Sequence, residues 1–472
     1  MADKLLRTAA VVLLTLFVTG CPNGPFSSDS SGIATSTVEP DDPYYLDGSQ
    51  WYLKMTNVAE AWQLVATQEN AGRARVASVA VIDSTVETTH DDLSSVIADG
   101  GAQFLTDASE GEKLPDDHGT HVAGLVGARG GNGIGVAGTA YNGYPRVLVP
   151  VIGIASLPSN GNGSLGDLAD AIRYAAGIPV NGKQLDTPAD VINMSLGVAD
   201  LAEDARSFLH AAILDAAARD IVIVAAAGNG EPGRPVLDYP ARFPEVISVA
   251  SIDADRELSS FSHHGPDLDV VAPGGIKRTS SGGFSLILST ITGNGYGEAA
   301  GTSMAAPQVA AIAALIRVVN PDLSASQVRT ILHNTAIDLG EPDRDDTFGY
   351  GLVDANAAIR RALNLGSDTV LRGRSTELEP ARTFALDPAS IQWSPGQPRT
   401  VLVRFDPDHL NTLGITDPVE YVQSATGIPA SGDENLVRLV VPEDRDGRAV
   451  LEQLNALEGV RIAVQDRVIA WR

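Results

Sequence analysis

Short apolar runs alternate with longer amphipathic stretches between residues 51 and 363 of this 472-residue chain. The runs are nearly continuous in Val, Ile and Ala, as expected for strands that are buried on both faces. The stretches between them space their apolar residues as helices do. The predicted strands are Val76–Ile82, Arg146–Ile152, Val191–Met194, Ile221–Ala227, Val246–Ala250 and Val270–Ala272, and the predicted helices are Leu165–Ala176, Ala202–Ala218 and Ser303–Val319. This alternation predicts an α/β fold of three layers, a doubly wound and mostly parallel sheet covered by helices.

A different pattern follows residue 365. The segment 366–395 is predicted to be a linker, and the segment 396–472 contains three strand-like runs and one helical stripe. The strand-like runs are Arg399–Phe405, Asn435–Val441 and Val460–Ala470, and the stripe lies within Asp444–Leu457. This β-α-β pattern predicts a small C-terminal α+β domain.

The first 20 residues have the features of a signal peptide. Lys4 and Arg7 precede the apolar run Ala9–Val18, and small residues follow it. The run is too short to span a bilayer, which takes about 20 residues. The segment that ends at Cys21 resembles a bacterial lipobox, which implies that Cys21 becomes the lipidated first residue of the mature protein. A plain secretory signal with an incidental cysteine is the alternative.

Residues 21–47 are rich in Ser, Pro, Gly and Asp and lack an apolar period, so they are predicted to be a flexible tether. The compact catalytic region is then predicted at 48–365. These features predict an exported protein that is lipid-anchored in the cell envelope through Cys21, with the outer membrane and the cell surface as candidate locations.

Charge and cysteine content exclude several classes of partner and cofactor. The formal net charge is −26, and no basic stripe is present, so nucleic acid is not expected as a partner. Cys21 is the only cysteine, which excludes an intramolecular disulfide and a cysteine-based metal cluster.

Three polar residues stand out against this background. Asp83 ends an apolar strand, where a doubly wound sheet exposes side chains to a cleft. His118 precedes a helix of small residues, and Ser303 lies where a long apolar helix begins. Each is ordinary alone, because Asp is common in turns and Ser is a preferred helix N-cap.

Together their segments resemble the signatures of the subtilase family of serine proteases. DS stands at 83–84, HGTHVAG at 118–124 and GTSMAAP at 301–307, in the order Asp, His, Ser that is typical of subtilisin. FGYGLVDA at 348–355 resembles the end of such catalytic domains, and the resemblance covers roughly Gln50 to Leu363. It implies a subtilisin-like endopeptidase acting on polypeptides.

The resemblance also implies a role for each residue. Ser303 would be the nucleophile and His118 the general base and acid, while Asp83 would orient the imidazole. Asn229, after the strand-like run Ile221–Ala227, matches the family's oxyanion asparagine, although a left-handed turn beside Gly228 is the alternative.

Two segments resemble the edges that hold an extended substrate in this family. They are Gly161-Asn162-Gly163 and Ser195-Leu196-Gly197, for which plain loops are the alternative. The resemblance also implies that Asp238, which precedes Tyr239-Pro240, lies near the bottom of the pocket for the residue preceding the cut bond, where a carboxylate could favour Arg or Lys. A solvated turn carboxylate is the preferred interpretation.

Calcium is the expected metal, since the candidate ligands are oxygen atoms. The resemblance implies the side chains of Gln50, Asp92 and Asn132 and the carbonyls of Ile134 and Val136 as ligands. Among the other histidines, His121 is interpreted as a helix-packing residue, and the pair His263-His264 as surface loop.

The chain departs from the family in one respect. Too few residues separate Cys21 from the catalytic region for the usual N-terminal propeptide. The last 36 or so residues faintly resemble such a propeptide, so the C-terminal domain is hypothesised to contact the catalytic domain in cis as a chaperone or inhibitor. An accessory or dimerisation domain is the alternative. The rival for the whole chain is a proteolytically silent binding or structural lipoprotein of the envelope.

Overall fold

A computed structural model describes the chain from residue 38 to residue 470 with gaps. The described residues are 38, 40–106, 108–230, 232–276, 285–364, 400–405, 417–432, 436–442, 445, 449–450, 453–454, 456–457, 460–465 and 468–470. The predicted signal peptide, Cys21, most of the tether and the linker at 366–395 lie outside these residues.

Seven strands form the central sheet, in the spatial order β2-β3-β1-β5-β6-β7-β8. Their bounds are β1 Val79–Asp83, β2 Ala102–Gln103, β3 Val151–Ala155, β5 Val191–Met194, β6 Val222–Ala226, β7 Val246–Ile252 and β8 Val270–Pro273. All six neighbouring pairs are parallel. The predicted doubly wound α/β fold is confirmed.

Helices cover both faces of this sheet. The helices of the catalytic region are α1 Pro43–Leu46, α2 Trp51–Met55, α3 Val58–Asn70, α4 Asp117–Gly127, α5 Leu165–Ala175, α6 Glu203–Ala217, α7 Thr302–Val319, α8 Ala325–Thr335 and α9 Ala355–Leu363. Strand side chains alternate between two cores: Val79 and Val81 pack with α3, α4 and α7, whereas Ala80 and Ile82 pack with α5 and α6. α7 is apolar and long enough to cross a membrane, but 94% of it is buried in the protein.

Three further strands flank the sheet in the catalytic region. β4, Asn162–Ser164, lies between β3 and α5 in the chain, while β9, Ile287–Ile291, and β10, Gly295–Ala299, form an antiparallel hairpin before α7. The hairpin has no counterpart among the predicted strands.

The predicted bounds Arg146–Ile152 are wrong, because the strand begins at Val151 and ends at Ala155. Pro150 precedes it, and the side chain of Arg146 instead reaches Glu69, with Nε 2.7 Å from Oε1. β1 likewise begins at Val79, three residues after the predicted start. The apolar runs therefore mark burial more reliably than strand bounds.

The chain packs before the predicted boundary at residue 48. α1 lies within the segment predicted to be a tether, and Tyr44 N–H donates to the carbonyl of Gly135 at 3.1 Å. Asp42 is fully buried. The helix begins at Pro43, whose missing N–H costs nothing in the first helical turn.

The C-terminal region contains a second sheet, in the order β12-β13-β11-β14, with all described pairs antiparallel. Its elements are β11 Thr400–Phe405, α10 Pro418–Thr426, β12 Ala430–Gly432, β13 Leu436–Val440 and β14 Val460–Gln465. Val403, Val422 and Val437 are among the residues of its small core. Of the predicted helix Asp444–Leu457 only residues 449–450 and 453–454 are described as helical.

The predicted strand Val460–Ala470 consists of two strands. β14 belongs to the C-terminal sheet, whereas β15, Val468–Ala470, pairs antiparallel with β4 of the catalytic region. Two residues separate β14 from β15. β14 itself lies beside α6.

Candidate active site

The candidate catalytic residues lie at or close to the carboxyl ends of neighbouring parallel strands. Asp83 is the last residue of β1, Ser195 follows β5, and Asn229 follows β6 by three residues. Ser303 lies in the first turn of α7. Because parallel strands end at the same edge of a sheet, these residues lie along one edge of the central sheet.

Asp83 and His118 form a buried hydrogen-bonded pair. The Asp83 Oδ1 atom lies 2.7 Å from His118 Nδ1, and the Asp83 side chain is fully buried. Ser84 N–H donates to the same Oδ1 at 2.7 Å. His118 lies in the first turn of α4, where Asp116, the N-cap residue, accepts its backbone N–H at 3.0 Å. A backbone N–H thus anchors the Asp83 carboxylate, and the Asp116 side chain anchors the backbone of His118.

Ser303 and Ser195 hold each other through two reciprocal hydrogen bonds. Ser303 Oγ donates to the Ser195 carbonyl at 3.0 Å, and Ser195 Oγ donates to the Ser303 carbonyl at 2.8 Å. The N-cap of α7 is Gly301, so Ser303 is the second helical residue and the N-cap interpretation of Ser303 is wrong. The nucleophile candidate therefore stands where the positive end of the helix dipole acts.

Asn229 has one fixed amide orientation. Its Oδ1 accepts hydrogen bonds from Thr302 N–H at 2.9 Å and from Thr302 Oγ1 at 3.0 Å. Among the described residues, no acceptor is bonded to its Nδ2. Gly228 has the positive φ of 107°, whereas Asn229 has none, so the left-handed alternative for Asn229 is wrong. The amide donors are available beside the first turn of α7.

The two predicted substrate edges have different conformations. Asn162 and Gly163 form β4, and Gly161, with a φ of 78°, introduces it. Ser195, Leu196 and Gly197 leave β5 as an irregular segment in which Ser195 and Leu196 are buried. The plain-loop alternative is thus wrong for Asn162 and Gly163.

Asp238 is fully buried, so its interpretation as a solvated turn residue is wrong. It lies between two strand ends: a Cβ added to Gly228 would fall 2.5 Å from Asp238 Oδ2, and one added to Gly197 would fall 3.1 Å from Asp238 Cβ. Only glycine at Gly228 leaves room for the carboxylate.

Two cations or potential cations face this carboxylate. Arg234 Nη2 donates to Asp238 Oδ1 at 2.8 Å, and His263 Nδ1 lies 3.3 Å from the same oxygen without completing a hydrogen bond. Asp238 Oδ2 is buried with no hydrogen-bond partner among the described residues. His263 is buried as well, so the surface-loop interpretation is wrong for it.

The predicted calcium ligands converge around a glycine-rich loop. Asp92 accepts hydrogen bonds from Asn132 Nδ2 at 2.7 Å and from Val136 N–H at 3.0 Å. No described donor uses the carbonyls of Ile134 and Val136. Gln50, however, is bound to both backbone groups of Ala137, with Oε1 accepting at 2.9 Å and Nε2 donating at 2.7 Å.

Sequence reasoning missed Asp42 at this loop. Its Oδ2 accepts from Gly131 N–H at 2.8 Å, and its Oδ1 is buried with no hydrogen-bond partner among the described residues. Burial raises the pKa values of Asp42 and Asp92. An orphaned carboxylate oxygen beside a second buried carboxylate and free carbonyls suits a hard cation. The only sequence signal was an acidic residue before Pro43.

His121 packs inside the protein. Its Nε2 lies 3.0 Å from the carbonyl of Ile287, and burial lowers its pKa to about 4. In the described part of the chain, no three His, Cys, Asp or Glu side chains form a group that could hold a metal ion. A calcium site at the loop would therefore depend on carbonyl and amide oxygens in addition to Asp42 and Asp92.

Residues 75–351, more than half of the chain, match the model of the subtilase family. The chain is 36% identical over 320 residues to the thermophilic serine proteinase of Bacillus sp. (strain AK1), covering 68% of this chain and 69% of that protein. It is 39% identical over 287 residues to subtilisin DY of Bacillus licheniformis, covering 60% of this chain and 90% of that protein.

A longer relative and a solved structure are also similar to this chain, and both are proteases. The halolysin-like extracellular serine protease Nep of Natrialba magadii is 33% identical over 71% of this chain, and the match spans 55% of that protein's length. A solved structure of the proteases from Pseudoalteromonas arctica PAMC 21717 is 32% identical with a TM-score of 0.56, covering 68% of this chain and 99% of that chain.

Proposed function

The chain belongs to the subtilase family, and we propose that it is a serine endopeptidase that hydrolyses polypeptides through an acyl-enzyme on Ser303. The observation that carries this proposal is the joint placement of the Asp83–His118 pair, Ser303 and the Asn229 amide at one sheet edge. A silent binding protein has no need of all four groups in these orientations.

The first step would form the acyl-enzyme. Ser303 Oγ attacks the carbonyl carbon of the scissile bond and transfers its proton to His118 Nε2. The Ser303 hydroxyl must first leave the Ser195 carbonyl to which it donates at 3.0 Å. Asp83 at 2.7 Å holds His118 Nδ1–H and stabilises the imidazolium. His118 then gives the proton to the leaving amine as the C–N bond breaks.

Asn229 and the backbone N–H of Ser303 would stabilise the oxyanion. Thr302 donates two hydrogen bonds to Asn229 Oδ1, one from its N–H and one from its Oγ1. The amide therefore cannot turn Oδ1 toward the substrate without losing both bonds. A preorganised donor costs no reorganisation when negative charge develops on the carbonyl oxygen. Water attacks the ester in the second step, with His118 as the base, and the same two donors serve again.

We expect Asn229→Ala to lower kcat for a peptide substrate by about 10²–10³, the loss known for removal of such a donor in subtilisin. Fluorophosphonate labelling of Ser303 should persist in Asn229→Ala and vanish in Ser303→Ala. Casein digestion and labelling of the purified protein measure both. Asn356→Ala on α9 is the matched control and should behave as wild type. Unlabelled Ser303 and undigested casein in the wild type would instead support the silent lipoprotein.

We further propose that Asp238 lies at the base of the pocket for the residue preceding the cut bond and that Arg234 determines its charge preference. A basic substrate side chain would be the third group on a carboxylate that Arg234 and His263 already face. Removing an additional cation from water is costly at this site unless the cation can form its own ion pair with the Asp238 carboxylate. The pocket as built therefore favours uncharged side chains over Arg or Lys.

Removing the guanidinium should reverse this preference. In Arg234→Met, the ratio of kcat/KM for peptides with Arg before the cut bond to that for matched peptides with Phe should rise about tenfold. Asp238→Asn in the same variant should cancel the rise. Arg242→Met, which removes a neighbouring arginine that pairs with Asp267 at 3.5 Å, should leave the ratio unchanged. A ratio that Arg234→Met does not move contradicts the assignment.

We propose a structural calcium ion at the loop 129–136. Asp42, Asp92, Asn132 and the carbonyls of Ile134 and Val136 would hold it, and Gln50 would support the loop through Ala137. Its chemistry would be the neutralisation of two buried carboxylates whose pKa values burial raises. Gln50 could serve as a ligand only by giving up the Ala137 N–H that its Oε1 accepts.

Calcium should then stabilise the fold by about 2.7 kcal/mol at 100 times its Kd. The gain should be larger at pH 8 than at pH 5, because protons compete for carboxylates with raised pKa values. Thermal unfolding in calcium and in chelator measures it. Asp42→Asn and Asp92→Asn should each reduce the gain, while Asp47→Asn, on an exposed turn, should not. A gain that neither substitution at the loop reduces would place the ion elsewhere.

We propose, finally, that the protein is exported and lipid-anchored to a bacterial membrane through Cys21. The support is the lipobox-like segment that ends at this residue. The mature protein should incorporate labelled fatty acid and sediment with membranes, whereas Cys21→Ser should be unlabelled. Export of an unlabelled wild-type protein into the medium would support the plain secretory signal.

A further inference from the structure

β4 carries one half of the proposed peptide-binding cleft, and its described strand partner is β15. The register pairs Val468 with Ser164, Ile469 with Gly163 and Ala470 with Asn162. β4 joins no strand of the central sheet in the described part of the chain. A strand of this kind has unpaired backbone groups, which accept an extended peptide whatever its sequence.

β15 also runs in the direction that leads to the catalytic residues. The connection from β3 to β4 begins beside Asp83, whose carbonyl accepts Ser156 N–H at 2.9 Å and Leu157 N–H at 3.2 Å. From there the chain proceeds to Asn162 and away along β4. Because β15 is antiparallel, it runs back from Ser164 toward Asn162 and so toward the connection that starts at Asp83.

The helix after β4 shows that this side of the catalytic region is covered. α5 has an amphipathic sequence with charged residues at Asp167, Asp170 and Arg173, yet all eleven of its residues are buried. Arg173 Nε pairs with Asp215 of α6 at 2.8 Å. A two-layer surface helix would leave its charged side in solvent. β14 lies beside α6 and β15 pairs with β4, so the C-terminal region contacts two elements that themselves pack against α5.

We infer that β15 is a built-in competitor for the strand of the substrate, so that the C-terminal domain inhibits the protease in cis. This inference rests on the proposed endopeptidase function and names the regulation of the same cleft. The occupant of the β4 edge is the segment 468–470 of the same chain, and it blocks peptides that need this edge. Substrates that reach Ser303 without pairing to β4 are not blocked.

Because β15 belongs to the same chain as β4, a strand of three residues is enough to compete with a substrate. Three residue pairs would bind weakly between separate molecules, but only two residues connect β15 to β14. A tethered ligand acts at an effective concentration in the millimolar range, and the short connection limits the entropy lost on pairing. Competition by β15 therefore raises KM for extended peptides and leaves kcat nearly unchanged.

The test uses the full chain with proline substitutions in β15. Val468→Pro and Ile469→Pro cover alternate backbone donors, so one of them removes an N–H that the ladder uses. In at least one variant, KM for an extended peptide should fall about tenfold or more, while kcat/KM for a single-residue ester should change less than about twofold. Ile469→Thr keeps the backbone donor and a β-branched side chain, so it should behave as wild type.

Several outcomes would overturn the inference. KM values for extended peptides that stay unchanged in both proline variants would show that β15 does not compete. A wild-type KM that falls on dilution of the enzyme would show that the blocking strand comes from a second molecule. Fluorophosphonate labelling of Ser303 separates these results from failure of the proposed function, because an inactive protein is unlabelled whatever residue 469 is.

Discussion

The parallel direction of the seven strands of the central sheet is the constraint on which this site depends. Parallel pairing aligns the carboxyl ends of β1, β5 and β6, so three segments distant in sequence leave the sheet at one edge. Asp83, Ser195 and Asn229 occupy these ends or follow them closely. The proposed nucleophile, Ser303, does not follow a strand, and α7 brings it to the same edge.

The placement of Ser303 depends on hydrogen bonds from both neighbouring strand ends. The segment after β5 holds it through the reciprocal Ser195 contacts, and the segment after β6 holds Thr302 through Asn229. Thr302 Oγ1 in turn accepts Gly228 N–H at 3.2 Å. The start of α7 is therefore clamped on two sides, and the same contacts orient the Asn229 amide. The same set of contacts therefore positions both the proposed nucleophile, Ser303, and the proposed oxyanion donor, Asn229.

The sequence predicted the layers and three of the helices, α5, α6 and α7, because strand burial and helical spacing are local properties. The motif resemblance selected Asp83, Asn229 and Ser303, which the structure brings to one sheet edge. It did not predict the hairpin of β9 and β10, in which β9 packs beside α4. It also misjudged Asp238 and His263, because no local pattern shows that these two side chains are buried beside Gly228. Asp42 was missed as well, because its burial too is not visible in the local sequence. Burial of single polar residues is a tertiary property.

The two features proposed for the cleft, the charge preference and the competing strand, share one physical principle, in which the protein would supply a substitute for part of its substrate. Arg234 pairs with the Asp238 carboxylate as a basic side chain of a substrate would, and β15 pairs with the backbone of β4 as an extended peptide would. The Arg234 contact joins residues four apart, so it persists in any folded form of the catalytic region. The β15 contact joins residues about 300 apart, so it ends whenever the C-terminal region leaves. The proposed charge preference would therefore be an intrinsic property of the pocket, whereas access to the β4 edge would be conditional.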